Sequence, residues 1–225
     1  MGAAESVQDV EEVSSTDKVW NEVSDLLQQS SKQHISHYGF SLRLKKLWRV
    51  RESTQLQEYE AKAKKLGDPT RLFHGTSVGN AMNITKSGFK LPEKAGMFGR
   101  GIYFADCPLK STRFAPDPAT GSFQRIVEHG LSGFWVKKVG QIMLCDVYLG
   151  QSKTFRRACN KLNPTKDLKP SSLLEKMVGA VSGVQEYHSA YVPGGWFGAV
   201  NVSEYVVYKE HQCIPRYLIE FEYVR

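Results

Sequence analysis

Apolar positions change their period along the chain. Val19, Trp20, Val23, Leu26 and Leu27 recur at three- and four-residue spacing, predicting an amphipathic helix from about Asp17, with Ser14 placed to cap it and Asp17 three residues on. Phe40, Leu42 and Leu44 then alternate with Ser41, Arg43 and Lys45, which predicts a strand running on toward Trp48 and Val50. Leu56, Tyr59, Ala63 and Leu66 mark a second helix, stopped by Gly67 and Pro69. Beyond this point the pattern is mostly strand-like. Residues 71–73 form a short apolar-ended strand, 77–86 a helix behind a serine cap, and 102–105 an aromatic strand. Residues 141–149 are an apolar run interrupted only by Asp146, as expected of a strand buried on both faces. Residues 204–208 are rich in β-formers, and the last strand sets Tyr217, Ile219, Phe221 and Tyr223 on one face against Glu220 and Glu222 on the other. No internal repeat recurs at a period of roughly 20 to 50 residues. Many short strands with few, dispersed helices predict an α+β domain built on antiparallel sheets.

Composition narrows what such a domain can be. The 225 residues are 41% hydrophobic and 24% charged, enough apolar content to build a sizeable core. No apolar run approaches the roughly 18 residues of a membrane span, and no basic-then-apolar signal opens the chain. An intracellular protein, cytoplasmic or nuclear, with no transmembrane segment is the expectation. Cys107, Cys145, Cys159 and Cys213 lie far apart without a C-x-x-C pair, so reduced thiols and no metal are expected. The net charge of +7 would attract polyanions without by itself establishing a nucleic-acid partner. Residues 1–16, with Glu5, Asp9, Glu11 and Glu12, read as a mobile acidic arm, and 17–225 as one folded domain. Met1-Gly2 with Ser6 fits the loose myristoylation pattern, but the acidic residues that follow oppose a basic second membrane signal, and an unmodified start is expected.

Familiar phosphate loops and nucleophile motifs fail. Gly96, Gly99 and Gly101 have the spacing G-x-x-G-x-G, which is neither the dinucleotide fingerprint nor a Walker loop. No G-x-S-x-G elbow or H-E-x-x-H helix occurs either. Three separated segments nevertheless look like parts of one site. In Leu72-Phe73-His74-Gly75-Thr76 an apolar strand ends in a histidine followed by glycine, although a lone histidine is more often structural. Residues 96–106 pass from a glycine-rich loop into a strand with adjacent aromatics, ahead of Lys110, Ser111 and Phe114. There Tyr103 and Phe114 suit the two faces of a flat ring and Ser111 a polar edge, against the plainer reading of core packing. In residues 201–208, Glu204 begins an apolar strand after a glycine-rich loop, where a solvated strand-end glutamate is the plain alternative.

Together these segments resemble, in order and in wording, the catalytic domain of the poly(ADP-ribose) polymerase family, the diphtheria-toxin-like ADP-ribosyltransferases with a His-Tyr-Glu triad. The wording is similar to that of tankyrases at G-M-F-G-x-G-I-Y-F-A, at M-L-x-C-x-V-x-L-G over 143–150, and at E-Y-V-x-Y from Glu204. The resemblance covers residues 19–225 and implies an antiparallel split-sheet ADP-ribosyltransferase fold with a few peripheral helices. It also implies NAD as a substrate, consumed by cleavage of its bond to nicotinamide, with ADP-ribose passed on singly or as a polymer. Carried over by motif, His74, Tyr103 and Glu204 are the triad. His74 would meet a ribose hydroxyl, Gly75 and Ser111 the carboxamide, and Tyr103 and Phe114 the nicotinamide ring, Phe114 standing where the family often has tyrosine. Thr76, Asn80 and Lys90 match the adenosine side, and Lys110 is a cation supporting Glu204.

Two departures qualify the resemblance. Tankyrase-type domains hold a short Cys and His zinc site ahead of the M-L-x-C strand, where residues 120–140 here contain only His129 and no cysteine, so no metal is expected. Some 70 residues precede His74, too few for the helical gate of about a hundred residues that many relatives carry, and none is expected. The leading expectation is transfer to protein acceptors. A noncatalytic NAD or ADP-ribose binding module, and transfer to nucleic-acid ends, are the alternatives; the full triad weighs against the first. Basic residues spread along the chain without an array of stacking aromatics weigh against the second.

Overall fold

The computed structural model describes residues 9–115, 139–170, 172–173, 176–177, 186–195 and 199–224. Gly2 and Ser6 of the acylation pattern, most of the interval compared with the zinc site, and residues 196–198 lie outside them. In chain order the elements are β1 (Val10–Glu12), α1 (Lys18–Lys32), α2 (Ile35–Tyr38), β2 (Ser41–Val50), α3 (Thr54–Ala63), β3 (Thr70–His74), α4 (Val78–Ser87), β4 (Ile102–Ala105) and α5 (Pro108–Ser111). They continue with β5 (Val139–Val147), β6 (Ser152–Thr154), α6 (Pro164–Asp167), β7 (Ser189–Val192), β8 (Glu204–Val207) and β9 (Cys213–Val224). The fold is mixed α+β. Among the described residues, nine strands form one sheet in the order β1-β2-β9-β5-β3-β4-β8-β7-β6, antiparallel except where β6 runs parallel to β7.

The sheet is really two sheets that touch. β3 pairs with β5 along its whole length, from Thr70↔Val147 to His74↔Met143, whereas β3 and β4 share the single register pair Phe73↔Ala105. Beyond that pair the strands splay. On one side, Val23 and Leu27 of α1 pack with Leu47, Ile142, Ile219 and Phe221; on the opposite face Leu72, Phe89, Phe104, Met143 and Leu218 form a second cluster. A third cluster, with Phe98, Val192, Val206 and Tyr208, supports the β4-β8-β7 half.

Where local chemistry departs from the sequence pattern, a pairing partner explains it. α1 is capped by Asp17, whose carboxylate accepts from Val19 N–H at 2.9 Å, while Ser14 turns to Thr16; an anionic acceptor gains from the helix dipole. Val10–Glu12, inside the stretch read as an arm, forms β1 because β2 offers a free edge, and Val13 is buried behind it. Glu222 is buried rather than solvated because Arg43 at 3.0 Å and Lys45 at 3.7 Å, both from β2, meet its carboxylate.

Asp146, the lone polar residue of its run, belongs to a network centred on Arg216. That guanidinium donates to Asp146 at 2.7 Å, Glu60 at 2.7 Å and Glu52 at 3.0 Å, and Tyr148 O–H donates to Glu60 at 3.1 Å. α3 is thereby pinned to β5 and β9. Burial alone would raise the Glu60 pKa, but the Arg216 charge and hydrogen bond hold it below the ordinary value. Arg216→Ala is expected to cost about 2 kcal/mol of stability in chemical denaturation at neutral pH, because it strands half-buried carboxylates. Arg216→Lys should recover only part, since an ammonium cannot fork to several carboxylates. A depressed carboxylate contributes stability above its unfolded pKa and loses it as pH falls through the folded one, so the deficit of Arg216→Ala should narrow in acid. Equal stability of the variant and the parent at neutral pH would remove the network from the account.

Candidate active site

The splay between β3 and β4 leaves a gap at the end of β3, and side chains fill it. His74, the last residue of β3, places Nδ1 2.8 Å from the Tyr103 carbonyl of β4, replacing a missing ladder bond with a side-chain one. A carbonyl only accepts, so Nδ1 carries the proton and Nε2 of the neutral ring is left as an acceptor. Burial lowers the His74 pKa, outweighing the opposite effect of the Tyr103 carbonyl, and so favours that neutral form. Phe89, with ring centroids 5.0 Å apart and edge-on, and Phe104 at 5.4 Å supply the apolar wall.

Backbone crowding fixes the next two elements. A Cβ on Gly75 would stand 1.8 Å from the Ser111 carbonyl oxygen, so the strand end lies directly on α5 only because residue 75 has no side chain. The Tyr103 hydroxyl accepts from Phe98 N–H at 2.8 Å and donates to the Gly99 carbonyl at 2.9 Å, which folds the glycine-rich loop around the end of its ring. A Cβ on Gly96 would reach within 2.6 Å of that oxygen. Burial of the hydroxyl pushes its pKa up to about 12, so it stays a neutral donor.

Glu204 opens β8 and is paired with Ala105 across from the end of β4. Lys110 of α5 approaches Glu204 Oε1 at 2.7 Å and the Val202 carbonyl at 3.3 Å. Both side chains of the ion pair are almost out of solvent, at 12% and 10% exposed. Glu204 Oε2 is buried with no hydrogen-bond partner among the described residues. One carboxylate oxygen is thus anchored by a cation while the other stands unpaired. A fixed negative charge with a free oxygen can stabilise a developing cation and orient an incoming nucleophile.

All ten residues predicted for the site line one cavity of about 940 Å³: His74, Gly75, Thr76, Asn80, Lys90, Tyr103, Lys110, Ser111, Phe114 and Glu204. Of these, Ser111 is buried and Phe114 is 58% exposed. Glu186, the other carboxylate near the third motif, is exposed and does not line the cavity. The sequence reading missed Phe89, Phe104 and Met97 of the wall, which as apolar residues carry no chemical signature, and the cavity-lining Lys86 and Lys94. Among the described residues no group of three or more His, Cys, Asp and Glu side chains is arranged to hold a metal ion.

Residues 20–223 match the family model of the poly(ADP-ribose) polymerase catalytic domain. Among curated relatives, the protein mono-ADP-ribosyltransferase PARP3 of Mus musculus is 29% identical over 79% of this chain and 33% of its own length. Poly [ADP-ribose] polymerase 2 of Homo sapiens is 26% identical over 84% of the chain and 32% of its own length. For poly [ADP-ribose] polymerase 1 of Arabidopsis thaliana the identity is 25% over 84% and 19% respectively. The chain therefore spans a third or less of the length of these relatives.

The contact between Gly75 and Ser111 gives a direct steric test. Gly75→Ala must push α5 away from β3, carrying Lys110 with it, and is expected to lower the melting temperature while disturbing the cavity. Overpacking of this kind costs about 1–3 kcal/mol. A Gly75→Ala protein with an unchanged melting curve would mean that this approach is looser than 1.8 Å implies.

Proposed function

Because the chain belongs to the poly(ADP-ribose) polymerase catalytic-domain family, we propose that it is an NAD-dependent ADP-ribosyltransferase that breaks the nicotinamide–ribose bond and passes ADP-ribose to a protein acceptor, as single units or a chain. The observation that carries this reading is the Lys110–Glu204 pair, with its unpaired Oε2, in the same cavity as His74 and Tyr103. Leaving of nicotinamide develops positive charge on the ribose, an oxocarbenium-like state akin to that of glycoside hydrolysis. Glu204 would stabilise that charge and aim the acceptor through Oε2, while Lys110 holds Oε1 in place. Nicotinamide departs as a neutral pyridine, so a general acid is not needed and neither is a metal.

The remaining residues suit the rest of the substrate. Nε2 of neutral His74 would accept from a ribose hydroxyl; the Gly75 backbone and Ser111 would meet the carboxamide; Tyr103 and Phe114 would contact the ring. Thr76, Asn80 and Lys90 line the same cavity and would meet the adenosine side. The four cysteines are free, which fits a reducing compartment, nuclear or cytoplasmic.

Glu204→Gln is expected to slow ADP-ribosyl transfer by about 10²-fold or more while leaving NAD binding nearly intact, because it removes a charge that only the transition state fully uses. His74→Ala, which deletes a ground-state contact, should weaken NAD binding as well. Both are read by a product-resolved transfer assay beside a binding titration. Near-normal transfer by Glu204→Gln would assign the chemistry to another carboxylate. Benzamide, which carries the same ring and carboxamide, is expected to raise the melting temperature, with a gain of about 2.7 kcal/mol when its concentration is 100-fold above Kd. A melting curve unmoved at saturating benzamide would overturn the placement of the nicotinamide end.

A further inference from the structure

His74 leans on a wall that has no regular structure of its own. Phe89, 2% exposed, meets the His74 ring edge-on with centroids 5.0 Å apart and the Phe104 ring at 5.5 Å. Phe89 belongs to the linker that follows α4, residues 88–92, which lies in neither helix nor strand. The backbone of such a segment must find its partners outside a ladder, and those partners set where it lies. At the start of the linker, Gly88 N–H donates to the Ile84 carbonyl at 2.9 Å, and a Cβ there would stand 3.3 Å from Leu56 and 3.4 Å from Tyr59 of α3. Toward its end, Leu91 N–H donates to Glu210 Oε1 at 3.1 Å.

Glu210, in the 3₁₀ turn Glu210–Gln212 just ahead of β9, is itself held. Its Oε2 accepts from the Tyr59 hydroxyl at 3.3 Å, and that hydroxyl accepts from Gln55 Nε2 at 3.1 Å. One carboxylate oxygen is thus engaged by α3 and the other by the linker. A backbone N–H bonds an ionised carboxylate more strongly than a neutral acceptor. Arg100 also reaches the linker, donating to the Pro92 carbonyl at 3.1 Å, but it ties the linker to the glycine-rich loop rather than to α3. Glu210 does not line the cavity, whereas Phe89 and Lys90 of the linker do.

The imidazole needs such bracing. The torsion that turns a histidine ring has broad minima, so contacts and not rotamer preference set its tilt. The Nδ1 bond to the Tyr103 carbonyl holds one atom of the ring, and Phe89 and Phe104 oppose its tilting. Building on the proposed dinucleotide reading, we propose that Glu210 is a positioning residue for His74: by clamping Leu91 to α3 through Tyr59 it fixes Phe89 against the imidazole and keeps Nε2 aimed at the ribose hydroxyl.

The test is a calorimetric titration of the whole chain with NAD and benzamide, in the parent, Glu210→Ala, His74→Ala and the double variant. Glu210→Ala is expected to weaken NAD binding about fivefold with benzamide unchanged, and less than about twofold where His74 is already alanine, because a residue acting through another then has nothing to act on. Glu210→Gln, whose amide oxygen can still accept from Leu91, should recover most of the loss. The His74 Nδ1–H resonance gives a readout free of any ligand: its bond to the Tyr103 carbonyl protects it from solvent exchange, and Glu210→Ala should broaden it. Additive losses of NAD affinity would overturn the proposal, since the effect would then run through Lys90 or the linker at large. Equal losses for NAD and benzamide, or an unaltered His74 resonance, would overturn it too. Should Glu210→Ala not fold, Tyr59→Phe replaces it in the cycle, removing the donor to Oε2 while keeping the ring that Gly88 lies against. A loss of NAD affinity that disappears beside His74→Ala then supports the clamp, and no loss overturns it. If the parent binds neither NAD nor benzamide, the proposed function fails, and the resonance alone decides whether Glu210 positions His74.

Discussion

One backbone pairing controls the site. β3 and β4 meet at Phe73↔Ala105 and nowhere else in register, so the two halves of the sheet must diverge immediately beyond it. The divergence opens a cavity without any loss of regular structure on either side, because β3 remains fully paired with β5 and β4 with β8. It also leaves backbone groups at the gap that water or a side chain must satisfy. His74 meets one of them, the Tyr103 carbonyl, and in doing so has its tautomer set by the fold rather than by whatever enters the cavity. The same bond thus closes a structural gap and prepares an acceptor.

The second dependence is energetic. A carboxylate as buried as Glu204 requires a partner, and Lys110 supplies one at 2.7 Å with its own charge nearly dry. The arrangement remains half satisfied, because Oε2 has no partner among the described residues. An unpaired buried oxygen costs about 1–3 kcal/mol, a cost that the packing around α5 must carry. Gly75 matters here too. Its bare backbone lets α5 lie against β3, and α5 is the element that delivers Lys110 and Ser111 to the site.

The long elements were legible in the sequence because burial imposes a period. The alternation in β2 and β9 and the apolar run of β5 reflect faces that α1 and the second cluster cover. β1 and β6, each of 3 residues, and α2, of 4, were not legible, since elements so short exist by pairing and packing rather than by a pattern of their own. Glu222 shows the same limit within a strand: its position in the alternation pointed outward, but basic residues on β2 made burial affordable. At the site, residue types within motifs were readable and their geometry was not. No sequence pattern announces that a histidine will bond a main-chain carbonyl, since every residue has one.

Part of the cavity's lysine lining belongs to that unreadable class. Lys90 was legible through its motif, but Lys86 and Lys94 are unremarkable in a chain with 30 basic residues, and spacing alone places them on a solvated helix end and a loop. Only the folded chain shows that all three line the cavity, Lys86 from the last turn of α4 and Lys90 and Lys94 from the segment whose Phe89 packs on His74. The lining charges differ in kind: Lys110 and Glu204 are paired and dry, so geometry dominates, whereas Lys86, Lys90 and Lys94 are exposed and screened, so their contribution must vary with salt.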